Sequence, residues 1–519
     1  MTPTLRRLND YVEWYAQTTP HALAISGRER RTYLQLHSRV RLCAAALAGC
    51  GVGPGDRVAT LSTPGGAFEV TFLAAVMLGA VWVGLNPRHT TAELNEAIAT
   101  LAPKVIFARR TIENRIYEPW ISALPASITV ITLSDGTAGA LAGFAERKHV
   151  DTKTLSAMAA LASPDAPCLI VFTSGSSGRS KGAMISQSAL IGASLVQLAQ
   201  WPVEPLCVLN NLPINHIGCV GDLCCYALIG GGTNVYSERF DPAETVALCE
   251  QERVTVLGQV PTQFILTLNA PAFRASALNS VRLIFWGGAQ ASLELVESLR
   301  ALGKPVATSY GQTESVGSVT FTPPHATPEE LAATVGCPVA PYELRLVDDA
   351  GNEATASQPG EIQVRSPFRM SGYWRDPEAT ARAITPDGWL RTGDIGIFTE
   401  NGMLRLVGRT TETFKSGGYN IYPVEIEQAA ASHPAVADVA VVSLDDPVFG
   451  KIGAAMAQVK AGGELTVAAL RTHLAERLAN YKLPKRILIA DALPKLPVGK
   501  IDKVAIREIF IREAVADKQ

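Results

Sequence analysis

The residues from Phe172 to Gly182, Phe-Thr-Ser-Gly-Ser-Ser-Gly-Arg-Ser-Lys-Gly, gather hydroxyls, glycines and one lysine behind an apolar run, Cys168–Phe172. Small residues let backbone N–H groups close on phosphate oxygens. The hydroxyls of Thr173, Ser174, Ser176 and Ser177 add donors, and Lys181 adds a cation. The spacing is not that of a Walker A loop: Gly175 is followed by Gly178, and Lys181 by Gly182 instead of Ser or Thr. A plain Ser/Gly surface loop uses the same residue types, so the strand in front is what marks this segment.

Four further segments carry chemistry. Ser309-Tyr310-Gly311-Gln312-Thr313-Glu314-Ser315 packs an aromatic, an amide, hydroxyls and a carboxylate together. Tyr310 can stack on a base, Thr313 can touch a phosphate, and Glu314 can hold Mg²⁺ through oxygen. Gly388 to Asp394 ends on a carboxylate beside Gly393, suited to two ribose hydroxyls. Taken alone, either segment reads more readily as a turn. The fourth is Gly408-Arg409 with Lys415-Ser416-Gly417-Gly418. The fifth, Leu493 to Lys503, presents Lys500 between Gly499 and Ile501.

Elements must hold these segments in place. Short apolar runs (Arg57–Leu61, Lys104–Phe107, Cys168–Phe172, Leu283–Phe285) alternate with longer periodic ones (Tyr33–Ala48, Ser186–Ala199, Pro242–Glu252). Continuous apolar strands between helices imply parallel sheets buried on both faces, hence an α/β body. From about residue 336 to 406 the pattern turns to short alternating strands, a β-rich subdomain. Val436–Leu444, Ala454–Lys460 and Val467–Ala479 read as strand, strand and helix of a small α+β domain. The expected division is therefore 1–408, a hinge at 409–412, and 413–519. Phe72–Leu85 is too short to span a membrane and is broken by Gly79, so it reads as a buried helix running into a strand.

At 519 residues the chain has material for more than one core. Lys plus Arg is 46 and Asp plus Glu is 48, a net charge of −2 that leaves no footprint for nucleic acid or an anionic membrane. The nine cysteines include no C-x-x-C pair, which argues against zinc and for reduced, mostly buried thiols in a cytoplasmic protein. No signal peptide is read at the N-terminus.

In this order the five segments resemble the acyl-adenylate-forming superfamily, which includes acyl-CoA synthetases, aryl-CoA ligases, luciferases and the adenylation domains of peptide synthetases. Supporting segments are Gly51 to Val58, Leu212 to His216, Gly287-Gly288-Ala289 and Gly360-Glu361. The resemblance covers nearly the whole chain. It implies a large N-terminal domain of α/β subdomains with a β-rich part and a small mobile C-terminal domain. It also implies a two-step reaction in which a carboxylate and MgATP give acyl-AMP, and a thiol then displaces AMP. By the same resemblance Thr173, Ser174, Gly175, Ser176, Ser177, Gly178 and Lys181 form the phosphate loop. Gly288, Ala289, Ser309, Tyr310, Gly311, Gln312 and Thr313 take the nucleotide, and Glu314 takes Mg²⁺. Asp394 and Arg409 take the ribose, and Lys500 is the lysine of the adenylation step. Thr411 stands at the hinge, and Gly417 and Gly418 line the coenzyme A tunnel.

The acyl pocket implied by the resemblance is bordered by His216, Asp222, Trp286, Gly287 and Gly288. On a helix starting near Ile217, Gly218, Asp222 and Cys225 would share one face. Trp286 stands where relatives commonly have a small residue, and Arg179-Ser180 where they have a proline before the lysine. A tryptophan in the pocket would favour a small, cyclic or aromatic acid over a long chain, whereas a tryptophan turned into the core would set no such limit. Thr411 and Glu412 also depart from the hinge residues usual in relatives. ATP, Mg²⁺ and coenzyme A are thus expected, with coenzyme A as acceptor. Alternatives are a stand-alone adenylating enzyme that loads an acyl carrier protein and a binding protein without catalysis, the latter opposed by Lys500, Glu314 and Asp394. The sequence leaves the oligomeric state, a homodimer included, open.

Overall fold

Gly66–Met77 is a helix with all residues but the last buried, and Val81–Gly84 is the strand that follows. A helix apolar on every side has no solvent face and must lie between two layers that both cover it. The fold supplies them. The structure, a computed structural model, describes residues 2–145, 149–173, 180–348, 350–355, 358–416, 419–495 and 501–516.

Met1–Leu344, Val364–Arg391 and Gly402–Leu404 make one compact unit. It contains two large sheets. In the first, five neighbouring strands run parallel in the order Thr129–Leu133, Val105–Arg109, Arg57–Leu61, Val81–Gly84, Pro167–Thr173. Lys181–Ser186 and Gly372–Tyr373 then add antiparallel to its edge. In the second, Leu23–Gly27, Thr233–Tyr236, Cys207–Asn210, Val256–Gln259, Leu283–Trp286 and Val306–Gln312 are parallel. Gly317–Phe321 turns back antiparallel to the last of them.

One continuous core joins Phe68, Phe72 and Val76 of the middle helix to Val58 and Trp82 of the first sheet and to Ile25 and Tyr236 of the second. Cys219 and Cys224, from a second buried helix, belong to the same core. The outer face of each sheet has its own helical cover. Leu94, Ile98 and Trp120 pack on the first, and Phe264, Leu295 and Leu299 on the second. The apolar runs are thus buried on both faces, as continuous hydrophobic strands require. The cysteines are free thiols, seven buried and two partly buried.

The second unit comprises Arg345–Gln363, Thr392–Asn401 and Arg405–Gln519. It holds most of a four-stranded sheet ordered Glu343–Val347, Gly360–Arg365, Leu390–Phe398, Leu404–Arg409. It also holds a five-stranded sheet built on the hairpin of Val436–Asp446 with Gly450–Val459. The strand Arg486–Ala490 and the helix Lys503–Ala516, neither expected from the sequence, complete this part. The 409–412 segment lies inside this unit, between its two sheets. Among the described residues no helix is long and apolar enough to cross a membrane.

The middle helix buries a carboxyl group. Glu69 accepts from the Tyr236 hydroxyl at 2.8 Å and from Asn234 Nδ2 at 3.4 Å. Burial pushes it up to about 8, a rise the two hydrogen bonds only partly reverse. The folded chain therefore keeps a proton that an unfolded glutamate loses near pH ~4.3. The resulting stabilisation is complete below that pH and is lost as pH rises through about 8. Urea unfolding between pH 5 and 8 is expected to show wild type losing up to about 1.4 kcal/mol per pH unit, a slope absent in Glu69→Gln. Equal slopes in the two proteins would contradict the assignment.

Candidate active site

Thr173 closes the strand Pro167–Thr173 and pairs across a hairpin with Lys181, the first residue of the next strand. Residues 174–179 of the loop between them lie outside the described residues. Glu314 comes from the other sheet. Val306–Gln312 ends in a single 3₁₀ turn, Thr313–Ser315, before the chain reverses into Gly317–Phe321. Thr173 Oγ1 donates to Glu314 Oε1 at 3.1 Å, and the Tyr373 hydroxyl donates to the same oxygen at 2.8 Å. The Glu314 carbonyl accepts from the Met370 N–H at 2.9 Å. The carboxylate is 9% exposed, so its two donors offset much of the cost of leaving water.

Tyr373 was not singled out from the sequence. It sits on the short edge strand Gly372–Tyr373, which pairs with Lys181–Ser186. Its ring lies under Lys181, with Nζ 5.2 Å from the centroid, a cation–π contact. Burial first, and the Glu314 charge second, raise its phenol well above the usual tyrosine value, so it stays a donor. A two-residue strand has no periodicity to read, which is why the pattern passed over it.

The turn around Glu314 is tight. A Cβ at Gly311 would stand 1.9 Å from the Gly317 carbonyl oxygen, so only glycine fits. Val316 has φ 63°, a left-handed conformation rare for a β-branched residue and of a kind found at functional sites. Tyr310 is buried and its N–H donates to Thr320 Oγ1 at 3.0 Å; Ser309 and Ser318 share a 2.9 Å hydroxyl contact. Thr313 is partly exposed. Gln312 Nε2 is buried without a hydrogen-bond partner, an orphan donor of the kind a ligand satisfies. Gly287, Gly288 and Ala289 follow Leu283–Trp286, and Gly288 takes φ 76°.

These residues fit a nucleotide with a divalent cation. Among the described residues no group of three ligating side chains could hold a metal by itself. A cation here would therefore rest on Glu314 and substrate oxygens, the usual arrangement for Mg²⁺.

The acyl-pocket expectations need two corrections. Alternation along Leu283–Trp286 sends Leu283 and Phe285 to the inner face and Ile284 and Trp286 to the outer one. Trp286 is 1% exposed and packs with Leu209, Phe264, Leu295 and Leu299 under the outer helices, so it is a core side chain. The inward aromatic is Phe285, whose ring occupies the space beside Gly258. Second, the helix after His216 is a π-helix, Gly218–Cys225, whose wider i→i+5 turn replaces the α spacing expected for Gly218, Asp222 and Cys225. His216 is exposed at its start, with its carbonyl accepting from the Cys219 N–H. Asp222 receives the Ser318 backbone N–H; burial pushes its carboxyl up to about 7, against the pull of that bond.

In the second unit, Asp394 is 7% exposed and Arg409 Nε lies 2.9 Å from Asp394 Oδ1, with the guanidinium side largely in solvent. Thr411 is exposed in the turn after Arg409. The neighbouring Glu412 pairs with Lys503 at 2.5 Å, and Lys503 also reaches Glu427 at 3.0 Å. Gly417, Gly418 and Lys500 lie outside the described residues.

Residues 12–374 match the family AMP-binding enzyme, and residues 425–500 match AMP-binding enzyme C-terminal domain. The chain is 33% identical over 497 residues to a feruloyl-CoA synthase of an Amycolatopsis species, covering 95% of this chain and 97% of the relative. It is 32% identical over 516 residues to an indoleacetate–CoA ligase of Aromatoleum aromaticum, covering 98% and 99%. Among solved structures, ATP-bound MatB from Rhodopseudomonas palustris superposes with a TM-score of 0.84 at 29% identity, covering 97% of this chain and 99% of that one.

Tyr373→Phe keeps the ring under Lys181 and removes one of the two donors that orient Glu314. Groups that orient a metal ligand typically matter by about 10–100-fold in affinity. Calorimetric titration is expected to show that loss for MgATP, and unchanged affinity would remove the Tyr373 hydroxyl from the site.

Proposed function

The chain belongs to the AMP-binding enzyme family and is an AMP-forming acid–CoA ligase, and on that premise we propose that it activates a ring-bearing carboxylic acid through the residues gathered around Glu314. The observation that carries this reading is the joint hold of Thr173 and Tyr373 on one buried carboxylate. The feruloyl-CoA and indoleacetate–CoA relatives support an aromatic or cyclic acid, and both use coenzyme A by name, so nothing among them favours a carrier protein as acceptor.

In the first step a carboxylate oxygen of the acid attacks the α-phosphorus of ATP, and the bond to pyrophosphate breaks. Charge builds on the phosphoryl oxygens and the leaving group. The resemblance gives Thr173 and Lys181 to the phosphates and the Lys500 ammonium to the charge that develops there. Mg²⁺, held by Glu314, would supply further charge neutralisation. Asp394 and Arg409 are assigned to the ribose and Tyr310 to the adenine. In the second step the thiol sulfur attacks the acyl carbonyl, its proton is lost, and the bond to AMP breaks. That step uses no phosphate-binding lysine, so a turn about Thr411 can withdraw Lys500 and bring Gly417 and Gly418 to the thiol channel. A cytoplasmic location suits these substrates.

Lys500→Ala is expected to slow acid-dependent pyrophosphate release by about 10²–10³-fold while largely sparing thioester formation from pre-made acyl-AMP. The two half-reactions, assayed separately with a phenylpropenoic acid, decide it; comparable losses in both would contradict the division of labour.

A further inference from the structure

The chain on either side of Thr411 is tied to a different part of the fold. Before it, Thr410 donates to the Gly393 carbonyl from its N–H at 2.8 Å and from its hydroxyl at 3.1 Å. Thr410 is thereby fixed to the strand that carries Asp394. After it, Glu412 Oε2 lies 2.5 Å from the Lys503 ammonium. The same ammonium lies 3.0 Å from Glu427 Oε1, on the helix Pro423–Ala431, and that oxygen also accepts the Val441 N–H at 2.7 Å. One lysine therefore joins the turn after Arg409 to a helix and, through Glu427, to the hairpin strand Val436–Asp446.

Lys503 is three residues beyond Lys500, and its own position is fixed. The backbones of Lys495 and Ile501 pair antiparallel, and the Asp502 N–H donates to the Pro494 carbonyl at 2.9 Å. Asp502 Oδ1 accepts from the N–H groups of Val504 and Ala505 at 3.1 and 3.0 Å, capping the helix Lys503–Ala516. Ile506 and Phe510 of that helix are fully buried in a core shared with Leu493. The two ends that flank residues 496–500 are thus pinned to each other, and the ammonium just past the second end connects them to Glu412. Glu427 alone would neutralise that ammonium, so Glu412 adds a tie that charge balance does not require. The side chains of Glu412, Lys503 and Glu427 are 34, 29 and 17% exposed, which shields these contacts from water better than a surface pair. Burial pulls the Lys503 pKa down and the two carboxylates more than reverse it, so the ammonium stays charged.

Resting on the ligase reading above, with Lys500 as the adenylation lysine, we propose that Lys503 is a positioning residue. By holding Glu412 and Glu427 together it fixes the base of the segment bearing Lys500 to the residue that follows the pivot. A turn about Thr411 then moves Lys500 together with the helix and hairpin to which it is pinned, and adenylation depends on that tie while the thiol step does not.

The test assays the two half-reactions separately: acid-dependent pyrophosphate release with a phenylpropenoic acid, and thioester formation from pre-made acyl-AMP. The variants are Glu412→Gln, Lys503→Met, the two combined, and Lys503→Arg, beside Lys500→Ala. Glu412→Gln leaves the buried Glu427 its partner, so it carries the test even where Lys503→Met folds poorly. Each single variant, Glu412→Gln and Lys503→Met, is expected to lower kcat for adenylation by about 10-fold or more, toward the ~10²-fold that a misplacement of about 1 Å costs. KM for ATP should change little, because Lys500 meets charge that develops only in the transition state, and thioester formation should be spared. The combined variant should be no slower than Lys503→Met, since both changes cut one tie. Lys503→Arg, whose fork can reach both carboxylates, should stay near wild type. Adenylation at the wild-type rate in both single variants, or equal losses in the two half-reactions, would overturn the positioning role and leave the ligase reading intact. Unimpaired adenylation in Lys500→Ala would instead overturn the reading of Lys500, and the proposal with it.

Discussion

Two sheets that close on opposite sides of one helical layer meet again at a single carboxylate. Glu314 leaves the carboxyl end of the nine-stranded sheet, and its donors, Thr173 and Tyr373, both belong to the seven-stranded one. Much of the local architecture follows from bringing these three side chains together. The chain must reverse within a few residues after Glu314, which accounts for glycine at 311 and 317 and the left-handed Val316. The edge strand Gly372–Tyr373 must reach across to Lys181–Ser186, because only there does the phenol arrive at the carboxylate from a position also under Lys181.

The rigid layers make this possible. Strands buried on both faces cannot shift by a residue without exposing an apolar face, so the strand ends that carry Thr173, Gly287 and Tyr310 are fixed by cores remote from them. At the carboxyl ends of these strands several amides are buried without partners, Gln312 and both polar atoms of Gln259 and Asn211 among them. Open α/β sheets place ligands at that edge. Polar groups left unsatisfied by the protein there are consistent with a surface built to be completed by substrate.

Much of this was legible in the sequence. Apolar runs gave the strands Arg57–Leu61 and Pro167–Thr173, and glycine at 79 separated helix from strand. Hydroxyl-rich and Tyr-Gly-x-Thr-Glu segments gave Thr173 and Glu314. What escaped depends on facing and contact, not on residue type. Trp286 and Phe285 are adjacent aromatics, and only the packing of each sheet face decides which one looks inward. The π-helix changes the spacing that an α period assumes. Tyr373 acts through a partner 59 residues away in sequence, a pairing that no local pattern encodes.

The central claim is that Glu314, oriented by Thr173 and Tyr373, is the centre of an acid-adenylating site. Exchange of labelled pyrophosphate into ATP, measured with and without a ring-bearing acid in wild type and Glu314→Gln, tests it most directly. The account predicts exchange that requires the acid in wild type and falls by about 10²–10³-fold in the variant, as loss of transition-state charge stabilisation does. Acid-independent exchange, or a variant that exchanges at the wild-type rate, would contradict it.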